Sequence, residues 1–115
     1  MRSIIDRIPV CPHGTKDSID VSLILALERL ETEMKGELEF SSGYRCKECN
    51  ARAGGVKNSA HLRGMAVDIL IDNSRERYAT VYNAFLINFR RVGVGKNIVH
   101  LDVDTSLPPD VLWLY

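Results

Sequence analysis

Three short segments carry the side chains with chemistry to offer: Ser59-Ala60-His61-Leu62-Arg63-Gly64-Met65-Ala66-Val67-Asp68, then Asn97-Ile98-Val99-His100-Leu101-Asp102, then Asp104. His61, Asp68 and His100 fall in or beside stretches whose pattern predicts burial. A carboxylate in a buried strand is costly unless it is paired or bound to a cation, and imidazoles supply the neutral nitrogen donors that zinc prefers. Two histidines and one aspartate leave the fourth tetrahedral position to water, the arrangement of a catalytic zinc (Zn2+) site rather than a closed structural one. Taken singly, each residue has a plainer reading: a hydrogen-bonded histidine, or a strand aspartate paired with an arginine or a backbone amide.

The cysteines suggest a second cluster. Cys46 and Cys49 form a C-x-x-C hook, and Cys11-Pro12-His13 can complete a Cys3His structural zinc site. A disulfide joining Cys11 to one of the pair, or three unpaired thiols, fits the same spacing. Three cysteines are too few for a disulfide framework, and a reducing compartment is the simpler expectation.

The elements that must position these residues follow from the hydrophobic pattern. A chain of 115 residues encloses one hydrophobic core, so a single domain over residues 1–115 is expected. Residues 1 to 17, with Pro9, Pro12 and Gly14, read as irregular. Beyond an N-cap at Asp17 or Ser18, Leu23, Leu27, Leu30 and Met34 follow helical spacing as far as Gly36. Leu38 and Phe40 alternate with polar residues as in a short half-buried strand. Residues 46 to 53 predict a short helix closed by a Gly54-Gly55 turn, and residues 66 to 71 a buried central strand.

Ser74 is the expected cap of a second long helix. Its Tyr78, Val81, Tyr82, Phe85, Leu86 and Phe89 form the strongest periodicity in the chain and read as core. Two short strands follow, at about 91 to 95 and 97 to 103, and the apolar tail packs back on the domain. The sum is an α+β fold in which a small, mainly antiparallel sheet carries the metal ligands and two main helices pack on one side.

Fifteen basic residues balance fifteen acidic ones, which removes the overall field that would concentrate the chain on nucleic acid or an anionic membrane. Neither partner is expected, and neither is membrane insertion; a monomer is. The charged N-terminus lacks the apolar run of a secretory signal, so a cytoplasmic chain carried to an outside target by another route, such as a phage lysin or tail protein, is the expectation.

Ser42-Gly43-Tyr44-Arg45, Gly54-Gly55, the Ser-x-His-x-x-Gly-x-Ala-x-Asp run ending at Asp68, and His100 together resemble the zinc D-alanyl-D-alanine carboxypeptidase family. That family includes phage and bacterial peptidoglycan endopeptidases and shares its fold with the hedgehog signalling domain. The resemblance runs from about Phe40 to Asp102 and implies a zinc peptidase acting on peptidoglycan stem peptides. It implies zinc ligation by His61, Asp68 and His100, a grip by Arg45 on a substrate carboxylate or carbonyl, and a hydrogen bond from Ser59 to substrate. A planar guanidinium suits the first of those substrate roles, because it can hold a carboxylate through two parallel hydrogen bonds. Several relatives carry Glu or Asp three residues before the last zinc-binding histidine, where this chain has Asn97, an amide that takes no proton at neutral pH. Asp102, on the same strand face as His100, is the expected replacement base; orienting a histidine ligand is its other reading. A zinc-containing module that binds cell-wall peptide or a protein partner without cleavage is the alternative function.

Overall fold

The computed structural model describes residues 3–115. In chain order the elements are α1 (Ile4–Arg7), a 3-10 turn (Lys16–Ser18), α2 (Val21–Met34), β1 (Phe40–Ser42), α3 (Lys47–Arg52), a second 3-10 turn (Ala60–Arg63), β2 (Ala66–Leu70), α4 (Ser74–Leu86), β3 (Arg91–Val94), β4 (Ile98–Asp102) and β5 (Val111–Leu114). The strands form one sheet in the order β1-β2-β4-β3-β5. Every neighbouring pair is antiparallel except β3 and β5, which run parallel. The α+β expectation holds, and the apolar tail is the fifth strand.

Strand alternation divides the sheet into two chemically different faces. Val67 and Ile69 of β2, Val99 and Leu101 of β4 and Val92 of β3 are buried in one core with Leu23, Leu27 and Leu30 of α2 and Ala84 of α4. The opposite face carries Asp68, His100, Asp102, Arg91 and Trp113. The register sets Asp68 opposite His100, Ala66 opposite Asp102, and Gly93 beside both His100 and Trp113. One face holds the fold together while the other is left for polar side chains.

Four expectations require correction. The start of the chain is not wholly irregular, since α1 and the first 3-10 turn lie in it, and α2 is capped by Asp20, whose carboxylate accepts from the Ser22 amide, rather than by Asp17 or Ser18. Asn73, not Ser74, caps α4. The aromatic stripe of α4 is mostly not core: Tyr78 is 71% exposed and Leu86 57%, with Tyr82 and Phe85 also exposed, Val81 half-buried, and only Phe89 within the core. The side of α4 that meets the sheet and α2 presents the small residues Thr80 and Ala84. Small side chains let a helix approach its neighbours closely, which turns the bulky stripe outward; there Tyr78 and Tyr82 stack on each other. No helix among the described residues is long and apolar enough to cross a membrane.

The N-terminal segment is tied to this frame by a half-buried ion pair. Arg7 donates two hydrogen bonds of 2.8 Å to Glu31 on α2, and the Leu38 amide donates a third of 2.7 Å to the same carboxylate. Burial pushes the Glu31 carboxyl up, but the guanidinium and the amide outweigh it and hold it below its ordinary value. The contribution is therefore complete above the ordinary glutamate range and is lost as pH falls through the lowered folded value. Glu31→Gln is expected to destabilise the chain by about 1–3 kcal/mol near neutral pH. In thermal unfolding followed across pH, the gap between wild type and variant should close in acid.

Candidate metal centre

His61 sits on the second 3-10 turn. Ser59 caps that turn by accepting from the His61 amide at 3.1 Å, and Gly64 ends it in the left-handed region at φ +67°. A side chain at Gly64 would run into the Ser18 carbonyl, so both conformation and space call for glycine at this position of the motif. The turn faces β2 and β4, where Asp68 and His100 already stand side by side.

The tautomers of both histidines follow from what their other nitrogens touch. His61 Nδ1 lies 2.7 Å from the Gly43 carbonyl, which can only accept, so Nδ1 carries the proton and Nε2 presents its lone pair. That Nε2 is buried, has no hydrogen-bond partner, and stands 3.4 Å from Asp68 Oδ1. His100 Nε2 lies 2.7 Å from Asp102 Oδ2, and its Nδ1 stands 3.2 Å from the same Asp68 oxygen. One ligand atom from each of the three residues lies within 4.8 Å of the other two. An orphaned buried nitrogen aimed at a carboxylate and a second imidazole is a donor set that fits zinc.

Electrostatics agree. Burial works against the charge on Asp68, but the adjacent His100 and His61 rings outweigh it and hold the carboxyl well below the usual range. Burial likewise lowers His100, and its contacts with Asp102 and Asp68 more than reverse this and raise it. A divalent ion would place positive charge against the same carboxylate and imidazole atoms.

These three residues open on a cleft of about 420 Å³, lined also by Arg45, Ser59, Gly55, Trp113 and Tyr115. Arg45 reaches to 3.5 Å from Asp68 Oδ2, and its Nε is buried without a partner, so the guanidinium retains donors for a bound group. The Trp113 ring centre stands 5.1 Å from that of His100, with the Arg91 guanidinium 5.2 Å above the indole. Tyr115 also lines the cleft, and burial raises its phenol so that it keeps its proton at neutral pH.

Asp102 does not share the ligand side of His100. It is 1% exposed, and both carboxylate oxygens are engaged: Oδ2 by His100, Oδ1 by Arg91 Nε at 2.9 Å and the Asp104 amide at 3.2 Å. Asp104 is drawn away toward Arg63 and Ser106. Asn97 is exposed and lies outside the cleft lining, its backbone carbonyl accepting from Ile71. Gly54 and Gly55, expected to form only a turn, also line the cleft. Arg91, Trp113, Tyr115 and the Gly43 carbonyl were missed from the sequence. Alternation of Val111, Trp113 and Tyr115 was the one available signal for the tail.

The pattern of peptidase M15 matches residues 5–102. The chain belongs to the peptidase M15 family. This is the zinc D-alanyl-D-alanine carboxypeptidase family that its motifs resemble, and membership makes the chain a metallopeptidase of a zinc-dependent family. A search among curated proteins finds no match. The M15 match takes in all three candidate ligands and Asp102, and it stops before β5, which adds Trp113 and Tyr115 to the cleft.

Two outcomes are expected from this geometry. Asp102→Asn should weaken zinc binding about 10–100-fold in a competition titration, because the His100 tautomer loses its anionic partner; unchanged affinity would contradict the positioning role. A Cβ on Gly93 would lie 2.6 Å from the indole of Trp113, the chain's single tryptophan. Gly93→Ala should therefore shift tryptophan emission to the red as the ring is pushed toward water, and an unchanged spectrum would contradict the packing.

Proposed function

We propose that this chain hydrolyses peptide bonds in peptidoglycan stem peptides at a zinc ion held by His61 Nε2, a carboxylate oxygen of Asp68 and His100 Nδ1. The observation that carries the reading is the orphaned Nε2 of His61, facing Asp68 and His100 at the wall of a cleft whose edge is a half-satisfied arginine. Residues 3–115 form one catalytic unit in this reading. When bound there, zinc supplies Lewis acidity that acidifies water and polarises a carbonyl.

The chain's own residues orient the substrate. Arg45 holds the carboxylate of a terminal D-alanine, or the backbone carbonyl of a longer stem, through parallel N–H donors. The Ser59 hydroxyl, already an acceptor for the His61 amide, can donate its proton to the peptide. Tyr115 is a neutral donor to an oxygen that gains charge. Asp102 keeps His100 in the tautomer that leaves Nδ1 free, and Gly43 does the same for His61.

A second reading is favoured by one specific observation. The cleft's carboxylates are Asp68 and Asp102, the first in the proposed ligand set and the second bonded through both oxygens, and Asn97, whose position carries Glu or Asp in several relatives, is an amide outside the cleft. A zinc-containing module that binds stem peptide without cutting it has the same cleft and needs no proton acceptor.

The two are separated by incubating zinc-loaded chain with purified peptidoglycan and with a soluble stem peptide ending in D-Ala-D-Ala. Released D-alanine marks a carboxypeptidase, and new amino groups without D-alanine mark an endopeptidase. Either product should vanish on chelation, return with added zinc, and be absent from His61→Ala. Retention on the polymer with neither product would establish the binding module instead.

A further inference from the structure

We infer that the chain holds a second, structural zinc ion between Cys11, His13, Cys46 and Cys49, and that this ion clamps the N-terminal segment onto the loop that supplies Arg45. The four side chains come from segments 35 residues apart in sequence, yet one ligand atom from each lies within 4.8 Å of all the others. His13 Nδ1 is 3.4 Å from both Cys46 Sγ and Cys49 Sγ. Zinc with Zn–S of about 2.3 Å and Zn–N of about 2.0–2.1 Å places tetrahedral neighbours about 3.5–3.8 Å apart, so these separations match the edges of a coordination tetrahedron. The donor set is complete, with no position left for water, which distinguishes it from the three-ligand cluster in the cleft.

The backbone is arranged for thiolates. The Cys46 amide points at Cys11 Sγ and the Cys49 amide at Cys46 Sγ, each at 3.4 Å. Amides aimed at sulfur stabilise the negative charge that a thiol takes on when it loses its proton to bind metal. Binding one divalent ion replaces three thiol protons and uses the neutral imidazole lone pair, leaving a centre of net charge −1. A disulfide would account for two sulfurs and leave the third, together with an imidazole equidistant from two of them, without a reason. All three cysteines are free.

The position of the cluster gives it a task. Cys46 follows Arg45 directly and caps α3, while Cys11 is joined to the same loop by its amide, 3.1 Å from the Tyr44 carbonyl, beside a Val10–Tyr44 bridge. In that loop the Gly43 carbonyl fixes the His61 ring and the Arg45 amide donates to the His61 carbonyl at 3.1 Å. Residues 43–46 therefore link the two clusters. Three residues of β1 and six of α3 are little regular structure to hold such a loop, and a metal crosslink supplies the constraint.

The test counts metal and sulfur separately from activity. Reduced chain saturated with zinc and freed of excess should carry two zinc ions, against one for His61→Ala and one for Cys49→Ser. Its three thiols should resist a thiol reagent until a chelator is added. Cobalt-loaded wild type and His61→Ala should both show sulfur-to-cobalt charge-transfer absorption, Cys49→Ser should lack it, and His13→Cys should retain it as a four-thiolate site. If the cysteine variant does not fold, the cobalt spectra of wild type, His61→Ala and His13→Cys decide. The proposal is overturned by one zinc per wild-type chain with three freely reacting thiols, by a native mass short of two hydrogens from a disulfide, or by cobalt-loaded protein without the sulfur band.

Discussion

The site depends on one backbone register, the antiparallel pairing that sets Asp68 of β2 opposite His100 of β4. Directly paired residues share a face of the sheet, so this register brings a carboxylate and an imidazole to 3.2 Å without any loop having to hold them. A one-residue slip of either strand would send its own ligand candidate, Asp68 or His100, into the core and bring Val67 or Leu101 out. The hydrophobic set Val67, Ile69, Val99 and Leu101 forbids that slip, since burying it against α2 and α4 is what stabilises the sheet. The energetics of the core and the geometry of the metal centre are thus one constraint seen from two faces.

Around that pair the chain spends its polar groups on orientation. Each histidine has one nitrogen tied to an acceptor, the Gly43 carbonyl or Asp102, and the other turned toward Asp68. Arg91 neutralises Asp102 from behind and caps the Trp113 indole, so a chain of contacts runs from β5 through Arg91 and Asp102 to His100. A charged group as deeply buried as Asp102 is tolerable because all its partners are present. The same contacts occupy both of its oxygens, so neither points freely at the side of His100 that faces Asp68.

Much of this was legible beforehand, for identifiable reasons. A polar residue inside an apolar β-pattern must have a partner, which is why Asp68 and His100 stood out, and their strand assignments hold. Asp102 was found by the same alternation, but alternation gives the face of a strand and not which nitrogen of a neighbouring imidazole a carboxylate will meet. The α4 stripe shows the limit of periodicity: it marks a helix and says nothing about which side turns inward, and small residues at Thr80 and Ala84 decided that by packing. The role of β5 was hidden because its parallel pairing with β3 is long-range, and only that pairing carries Trp113 over His100.

In the proposed centre, His61 Nε2, Asp68 and His100 Nδ1 hold one zinc ion and leave its fourth position open. Anomalous diffraction recorded on either side of the zinc absorption edge, from crystals of the zinc-loaded chain, tests it most directly. A zinc peak is expected in the cleft about 2.0–2.2 Å from His61 Nε2, a carboxylate oxygen of Asp68 and His100 Nδ1. A cleft without a zinc peak, or a peak bound through His100 Nε2 and Asp102 instead, would contradict it.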